Sequence, residues 1–597
     1  MANLNSTSIP TALPASTKLD LSCDHATTMM FGEMQPVHYR HVVKGENLSL
    51  KGIGKVRPMP LATPTYGRLR MNIHHFFVPF RTVMPQFDSF YNDTIGVNYN
   101  GSSIVDDSPY FTCADITTLF TSNVLYSSAI TDPNFDPTTD PWDFRVAGGN
   151  YYKFNTYGKY VYKILVSLGY EINWDTKDTT QLSALALLCY ARVYLDWYAN
   201  QSYMDSSDVI ALKKIFAYND PTNQLHVDTT ALAAVFILYR YVTYDQDYFV
   251  GAWDNPFAPN SSQYSALTFT DISLPAGNSF TGSVTNNLSG TNGSPIMLQG
   301  GANSTAIGTQ YLHDALKAIT DYSKRHQLAG ATNINRALAQ YGFGVNPMRV
   351  ERSYHIGSSS IDVEVGAVFS TANTASSNDP STLGDFAGQG KGFGDTDFSF
   401  KVEELGLQIS IASILPSGGY FQGMDRNNMH IKKTDFFVPE FDGLGIQLLT
   451  KREVYTSKNG SYGIPSGQTA HIYDTGFGYT GRYGEYKRPR SWVSGDLRVA
   501  SRMLGGDAWH LMREFSDASW SGDISNQRHS LNFTRFTDSG TYRRIFTYTK
   551  GDNDPFIVEF HWAVGSQAPC HGLFETYEMS TEGNKEVSLK SNGGVLN

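Results

Sequence analysis

The segment Thr475 to Trp492, TGFGYTGRYGEYKRPRSW, brings glycines, aromatic rings and cations together within a short stretch. Aromatic rings stack on nucleobases and cations bind phosphates, so this composition is typical of a surface for single-stranded nucleic acid. The alternative is a glycine-kinked strand whose aromatic side chains pack on neighbouring chains, and composition alone favours that interpretation. The candidate phosphate ligands, with only the acids Glu485 and Asp496 among them, are Arg482, Lys487, Arg488, Arg490, Arg498 and Arg502.

Histidines are the next group with chemical potential. His38 and His41, and the adjacent pair His74 and His75, have the side chains that bind transition metals. No cysteine or third histidine stands at a suitable spacing, so we favour strand histidines that are hydrogen-bonded in a polar layer. The sequence therefore predicts no metal site.

Carboxylate pairs and glycine-rich loops are the remaining candidates for a catalytic or binding site. The acid pairs favour solvated turns over glycoside hydrolysis or Ca²⁺ binding, and GQGKGFG favours a flexible turn over a phosphate cradle. The Gly-x-Ser-x-Gly, Walker A and His-Glu-x-x-His signatures do not occur, so we predict no catalytic residue and no cofactor. These candidates are Asp245/Asp247, Glu403/Glu404, Asp552/Asp554 and Gly388 to Gly394.

Composition sets limits on the class of protein. The 597 residues are 41% hydrophobic, enough for a sizeable core, and the formal net charge of -10 repels polyanions, so DNA binding would depend on local patches. Four dispersed cysteines argue against a disulfide framework and favour a reducing compartment. The N-terminus lacks the features of a signal peptide, and Arg192 and Arg240 interrupt the longest apolar stretches, so we expect no membrane insertion.

Short alternating segments predict a mainly β framework. RLRMNIHHFFVPF places Leu69, Met71, Ile73, His75 and Phe77 on one face of a strand that Pro79 ends. IDVEVGAVF and DPFIVEFHWAV predict further strands. In FSFKVEELGLQISIA the apolar phase shifts, which predicts a β-bulge at Glu403 and Glu404.

Helices and long loops are predicted between the strands. Apolar periodicity indicates helices over residues 182–198, 231–241 and 311–326. Composition predicts loops over residues 98–150, 255–305 and 457–468. No repeat and no linker divides the chain, so we treat residues 1–597 as one domain with a loop insertion at 98–150, a helical insertion at 180–243 and a surface loop insertion at 255–305.

Several segments match one family in a fixed order. They begin with KLDLSCDHATTMMFGEMQPV, LATPTYGRLRMNIHHFFVPFRTV, YARVYLDWYANQ and DQDYFVGAWDNP. They continue with YGFGVNPMRVERSYHIGSSSIDVEV, EELGLQISIASILPSGGYFQGMDR, TDFFVPEFDGLGIQLLTKREVY, FGYTGRYGEYKRPRSWVSGDLR and DPFIVEFHW. From Lys18 to about Ala568 the chain thus resembles the major capsid protein of the Microviridae, small icosahedral phages with single-stranded DNA genomes, and especially its gokushovirus-like branch. Ser353 stands where that family has proline.

The resemblance implies a fold and a function. The expected fold is a single eight-stranded antiparallel jelly roll of the viral capsid type with large helical and loop insertions. The expected function is a structural, non-enzymatic subunit that assembles through pentamers into a T=1 icosahedral shell around single-stranded DNA. The expected location is the virion, after assembly in the bacterial host cytoplasm. A jelly-roll carbohydrate-binding protein or glycosidase remains the alternative.

The resemblance also implies partners. These are other copies of the chain, the packaged DNA, a minor pilot or spike protein and the host cell surface. A small basic DNA-binding protein is expected as well, because a subunit of net charge -10 cannot neutralise a polyanion alone. The cation cluster is expected to face either the genome or a neighbouring subunit, and residues 255–305 are expected to form a three-fold protrusion that contacts the host. Candidate host-contact residues in that loop are Ser261, Tyr264, Phe269, Phe280 and Asn292.

Overall fold

The architecture was obtained from a computed structural model of the 597-residue chain. Apart from short gaps inside these ranges, it describes residues 17–61, 65–91, 108–130, 143–199, 216, 226–252, 268–273, 279–283, 352–369, 386–442, 446–456, 476–498, 509–513, 515, 542–547 and 554–570. The predicted helix over 311–326 and the predicted loop over 457–468 lie outside the described residues.

Strands dominate the described residues. In chain order they are β1 (Thr17–Asp20), β2 (Cys23–Met29), β3 (Gln35–Val42), β4 (Asn47–Pro58), β5 (Leu69–Pro79), β6 (Tyr110–Thr112), β7 (Ser127–Ala129), β8 (Asp143–Arg145) and β9 (Tyr151–Phe154). They continue with β10 (Gln181–Ser183), β11 (Thr268–Ser273), β12 (Ser279–Ser283), β13 (Tyr354–Phe369), β14 (Phe386–Lys401), β15 (Gly406–Pro416), β16 (Ile446–Thr450), β17 (Gly476–Gly481) and β18 (Phe556–Ala568).

Helices lie between these strands. They are α1 (Phe87–Tyr91), α2 (Cys113–Ser122), α3 (Thr156–Ser167), α4 (Leu185–Val193), α5 (Thr229–Leu238), α6 (Lys451–Val454) and α7 (Gly484–Lys487). A capping box starts α2, in which the Thr112 side chain accepts from the Asp115 N–H and the Asp115 carboxylate accepts from the Thr112 N–H. A π-helical turn, Tyr194–Tyr198, extends α4.

The large sheet has the strand order of a jelly roll. Its hydrogen-bonded path is β1-β18-β4-β14-β13-β5-β15-β3, with β2 also paired to β18, and the pairs are antiparallel. This path gives two four-stranded halves, β2-β18-β4-β14 and β3-β15-β5-β13, which join at the β13-β14 pair. Eight strands in this order form a jelly roll, with β1 added at the β18 edge, so the predicted fold is confirmed.

Side chains that cross the interior bring the two halves together. Trp562 on β18 is fully buried, and its indole N–H donates to the Val37 carbonyl on β3 at 3.1 Å. The His75 Nε2 on β5 lies 2.8 Å from the Thr396 hydroxyl on β14. Because neither pair of strands is adjacent in the sheet, the sheet must curl until its two halves face each other.

Glycines on β4 make room for the large rings of β18. The register places Gly52 opposite Trp562 and Gly54 opposite Phe560, and all four residues face the interior. A Cβ on Gly52 would lie 2.2 Å from the Trp562 ring, which is closer than real Cβ atoms approach. The side chain between them, Ile53, faces outward instead.

Two large insertions separate strands of the jelly roll. The first insertion, residues 80–353, joins β5 to β13, and the second insertion, residues 417–555, joins β15 to β18. Helix α4 of the first insertion is almost completely buried and packs against β5 and β15. The first insertion therefore covers the outer face of the β3-β15-β5-β13 half.

Most predicted elements are confirmed. The strands predicted from RLRMNIHHFFVPF, IDVEVGAVF and DPFIVEFHWAV are β5, β13 and β18, and Pro79 ends β5 as expected. The helix predicted over 182–198 is α4 with its π turn, although its first residues belong to β10. The helix predicted over 231–241 is α5.

Three predictions of local structure were wrong. GQGKGFG lies inside strand β14, because its glycines allow close packing against Pro58 and Ile361. The phase shift near Glu403 marks the turn between β14 and β15, not a bulge. Residues 98–150, predicted as a loop, contain β6, α2, β7 and β8, which local capping and aromatic packing stabilise.

Replacement of Gly52 by alanine tests the packing of the sandwich. We expect Gly52→Ala to lower the free energy of unfolding by about 1–3 kcal/mol, because the new methyl group overlaps the Trp562 ring. Gly565→Ala is the matched control, since its Cβ would lie 3.9 Å from the nearest atom, the Ser49 carbonyl oxygen. Urea denaturation of both variants measures the difference, and equal stabilities would contradict this account of the core.

Candidate assembly and genome-binding surfaces

The predicted histidine layer lies inside the jelly roll. The His75 Nδ1 is 2.7 Å from the Ser410 hydroxyl, and the His38 Nδ1 is 2.8 Å from the Gln408 amide oxygen. His74, on the opposite face of β5, pairs its Nδ1 with the Tyr198 hydroxyl at 2.6 Å. The interpretation as hydrogen-bonded strand histidines is confirmed for His38, His74 and His75, whereas His41 is exposed and lies beside the Phe80 ring.

Burial keeps these histidines neutral. Desolvation lowers the pKa of His75 to about 3 and that of His38 to about 4, and nearby basic groups, among them His38 beside His75 and Arg40 beside His38, lower the two pKa values further. Neutral imidazoles can donate and accept, and so they satisfy polar groups that Ser410, Thr396 and Gln408 would otherwise leave unpaired in the interior. Among the described residues no group of three or more His, Cys, Asp or Glu side chains is arranged to hold a metal ion.

One member of each acid pair fixes the chain, and Asp552 lies outside the described residues. Asp247 accepts from the N–H groups of Phe249 and Val250 at 2.8 and 2.7 Å, which caps a turn. Glu404 forms a two-pronged ion pair with Arg81, at 2.5 and 3.2 Å. Carboxylates that are occupied in this way are poor candidates for glycoside hydrolysis.

Asp554 belongs to a buried ion cluster that sequence analysis missed. The Lys163 ammonium of α3 lies 2.6 Å from Glu33 and 3.0 Å from Asp554, and all three side chains are almost inaccessible to solvent. Two carboxylates raise the pKa of Lys163 against the effect of burial, while burial raises the pKa of Glu33. The signal in the sequence was Lys163 itself, a charged residue among the apolar positions of a helix.

The basic segment forms a short strand and a helical turn. Strand β17 pairs with β16, and Phe477 is buried within the same chain, 6.2 Å from the Phe249 ring. The chain then turns at Tyr483, whose φ of 60° is left-handed, and enters α7. The glycine-kinked strand is therefore confirmed, but Phe477 packs on its own chain and not on a neighbouring one.

Three cations of the cluster have partners within the chain. Arg482 donates to the Thr434 carbonyl at 3.3 Å, and its guanidinium stacks on Phe441. Lys487 forms an ion pair with Asp442, and Arg488 donates to the Asp247 carbonyl at 2.6 Å.

The other three cations are placed differently. Arg490 follows α7, and the backbone of Arg498 ends a 3₁₀ turn. Arg502 lies outside the described residues. A role of this cluster in binding the genome therefore stays a prediction, since no contact described here tests it.

Two of the five candidate host-contact residues lie on a hairpin within residues 255–305. Strands β11 and β12 pair antiparallel, with Phe269 opposite Gly282 and Phe280 opposite Ile272. Ser261, Tyr264 and Asn292 lie outside the described residues. The hairpin is built almost entirely from uncharged residues, as the composition of this stretch requires.

A cavity of about 330 Å³ lies where the first insertion meets the outer face of β5 and β15. Its wall includes Trp197, Tyr198 and His355, and Asp245 is the one carboxylate among the described residues that line it. Glycoside hydrolysis requires two carboxyl groups on opposite sides of the bond. The cavity therefore does not support the glycosidase alternative.

A jelly roll that carries large insertions between its strands belongs to a class that includes viral capsid subunits, although fold alone does not assign a function. Comparison with known proteins identifies the family. The family described as "Capsid protein (F protein)" matches residues 7–122 and 169–564, and the chain belongs to this family of Microviridae capsid proteins.

Two relatives of the chain are also described as capsid proteins. The chain is 21% identical to capsid protein VP1 of Bdellovibrio phage phiMH2K over 587 residues, which covers 92% of this chain and 93% of that protein. It is 26% identical to capsid protein VP1 of Chlamydia phage 1 over 219 residues, which covers 36% of this chain and 35% of that protein. A capsid protein self-assembles into a shell and is located in the virion. No helix in the described part of the chain is both long and apolar enough to cross a membrane.

The buried histidines predict a specific pH dependence. A histidine whose pKa falls on folding stays neutral in the native state and takes up a proton on unfolding, so stability falls as the pH drops below about 6.5. The free energy of unfolding of the wild type should decrease between pH 7 and pH 5. We expect this decrease to be about 2 kcal/mol smaller in His75→Gln, because glutamine does not titrate. Urea denaturation at both pH values measures this difference.

Ser410→Ala is the control for the histidine variant. It removes a hydrogen-bond partner of His75 but keeps the ring, so it should lower stability by a similar amount at pH 7 and pH 5. An unchanged loss of stability in His75→Gln would show that His75 already titrates normally in the folded protein.

Proposed function

We propose that this capsid protein assembles through pentamers into a T=1 icosahedral shell that encloses a single-stranded DNA genome, and that it has no enzymatic activity. The observation that carries the proposal is the combination of the jelly-roll strand order with a family match over residues 7–122 and 169–564. Jelly-roll subunits tile closed shells because their rigid sandwich supports variable insertions that contact neighbouring copies.

The use of the titratable residues supports a structural role. The histidines of the interior are hydrogen-bonded and neutral, and the carboxylates of Glu33, Glu404 and Asp554 are held in ion pairs. A catalytic site normally concentrates perturbed titratable groups around an accessible cleft. In the described part of this protein, His75, His38 and Lys163 instead join strands and helices, and the perturbed His74 and His355 line a cavity whose described wall holds one carboxylate, Asp245.

The net charge implies further partners in the particle. A subunit of charge -10 repels DNA, so we propose that a small basic protein neutralises the packaged genome. A minor pilot or spike protein completes the set of proposed partners. Assembly in the bacterial host cytoplasm is part of the same proposal.

Electron microscopy of the purified protein and of the infected-host lysate tests the shell directly. We expect uniform small icosahedral particles, because the chain self-assembles and its symmetry closes the shell. Mass spectrometry of genome-filled particles should detect this chain together with a small basic polypeptide. A protein that remains a soluble monomer under all conditions and binds glycans would contradict the shell.

We also propose that residues 255–305 form a surface projection at the three-fold axes that contacts the host. The segment is rich in Ser, Thr, Asn and Gly, and Asp271 is its only ionised side chain between Ala258 and Thr305. Such a segment cannot build a core alone, but three copies that meet at an axis can share their apolar residues and present polar ones outward.

Shortening this loop separates attachment from assembly. We expect particles in which a Gly-Ser bridge replaces Ser261 to Ala302 to assemble normally and to adsorb poorly to host cells. A second variant with the same residues in scrambled order keeps the bulk of the loop and should also adsorb poorly, because recognition depends on the order of side chains. Normal adsorption of the shortened particles would exclude the attachment role, and failure to form particles would identify the loop as an assembly element.

A further inference from the structure

The second insertion carries a group of exposed apolar side chains beside the two-stranded sheet of β16 and β17. Phe436 and Tyr486 lie 5.5 and 5.9 Å from the ring of His430, and Phe437 lies 5.7 Å from Tyr486. We call the following four residues the apolar ledge: Ile431 (88% exposed), Phe436 (52%), Phe437 (44%) and Tyr486 (49%). A contiguous exposed apolar patch of this kind marks an interaction surface, whereas scattered single residues do not.

Hydrogen bonds within the chain fix the turn that carries the ledge. The Asp435 carboxylate accepts from the N–H groups of Ile431 and Lys432 at 3.1 and 2.8 Å, which fixes the turn that carries Ile431. Arg482 and the Tyr483 hydroxyl both donate to the Thr434 carbonyl, at 3.3 and 3.4 Å, and tie the same turn to α7. A surface that is ordered before it binds loses less conformational entropy on binding.

A buried polar network supports the ledge on its inner side. Arg426 donates to the Leu448 carbonyl at 2.7 Å and to Glu453 at 2.9 Å, and Gln447 donates to Glu485 at 2.5 Å. These contacts join the 3₁₀ turn Arg426–Met429, which precedes the ledge, to the two-stranded sheet of β16 and β17 and to α7. This polar network and the buried ring of Tyr483 therefore lie beneath the exposed apolar side chains of the ledge.

The charges around the ledge disfavour DNA as its occupant. Lys487 is neutralised by Asp442, and Arg482 is already bound to the Thr434 carbonyl. The same segment carries Asp435 and Glu440 against Lys432 and Lys433, so its charges balance and give no net attraction for phosphates. Ile431, the most exposed member, has no ring on which a base could stack. The surface therefore suits a protein partner.

We infer that the apolar ledge docks on a different surface of a second copy of this chain in the assembled shell; this rests on the proposed function above. The protein belongs to a self-assembling family, and a shell of identical chains requires contacts in which one patch meets a different patch. Charge agrees with this occupant, because Lys432 and Lys433 beside the ledge can meet acidic side chains of a second copy, whose net charge is -10.

Substitution of Ile431 by glutamate tests the ledge without disturbing the fold, because that side chain is already in solvent. Burial of an unpaired carboxylate at a contact is strongly unfavourable, so we expect Ile431→Glu to reduce the chain recovered in particles by about a hundredfold or more. Thermal unfolding of the unassembled subunit should match the wild type. Val124→Glu, at a site that is 80% exposed in the first insertion, is the matched control and should assemble normally.

The outcomes separate this inference from the proposed function. Wild-type protein that forms no particles would overturn the proposed shell itself. Wild-type particles together with normal assembly of Ile431→Glu would overturn the docking of the ledge alone. Ile431→Glu particles that form in normal yield but contain less DNA would also overturn it, since the ledge would then face the genome. Loss of particles in Ile431→Glu, with a folded subunit and a normal control, is the result that we expect.

Discussion

The closure of the sandwich around Trp562 is the constraint on which the rest of the structure depends. Its indole spans the interior from β18 and donates to the Val37 carbonyl on β3, in the opposite half of the sheet. A ring of this size fits only because Gly52 lies opposite it. Removal of either feature would change the distance between the two halves, and every contact that crosses the interior would be affected.

The polar side chains of the interior follow from this closure. His75 and His38 lie 6.0 and 5.5 Å from the Trp562 ring, and His75 must find protein partners because it is fully buried. Neutral imidazole is the form that a desolvated site favours. The buried ion cluster of Lys163, Glu33 and Asp554 connects α3 to the segments that precede β3 and β18.

The two insertions differ in which side chains they bury and which they expose. The first insertion buries α4 against β5 and β15 and completes the subunit. The second insertion does the opposite around α7, where a polar network faces inward and aromatic side chains face solvent. Such an arrangement is unfavourable for an isolated subunit, and it is explained when the same side chains become buried in an assembly.

The sequence by itself determined the framework, because period-two alternation in RLRMNIHHFFVPF and DPFIVEFHWAV leaves one face for the core. It also indicated the family through motifs in a fixed order. Because no other metal ligand stands near His75 in the sequence, it predicted a hydrogen-bonded strand histidine at that position. Only the tertiary structure decided that GQGKGFG is a strand, that Ile53 faces outward, and that Asp554 pairs with Lys163. The physical reason is that these outcomes depend on residues hundreds of positions away: glycine is favoured wherever Trp562 or Ile361 needs space, and a carboxylate is retained in the interior only where folding supplies its cation.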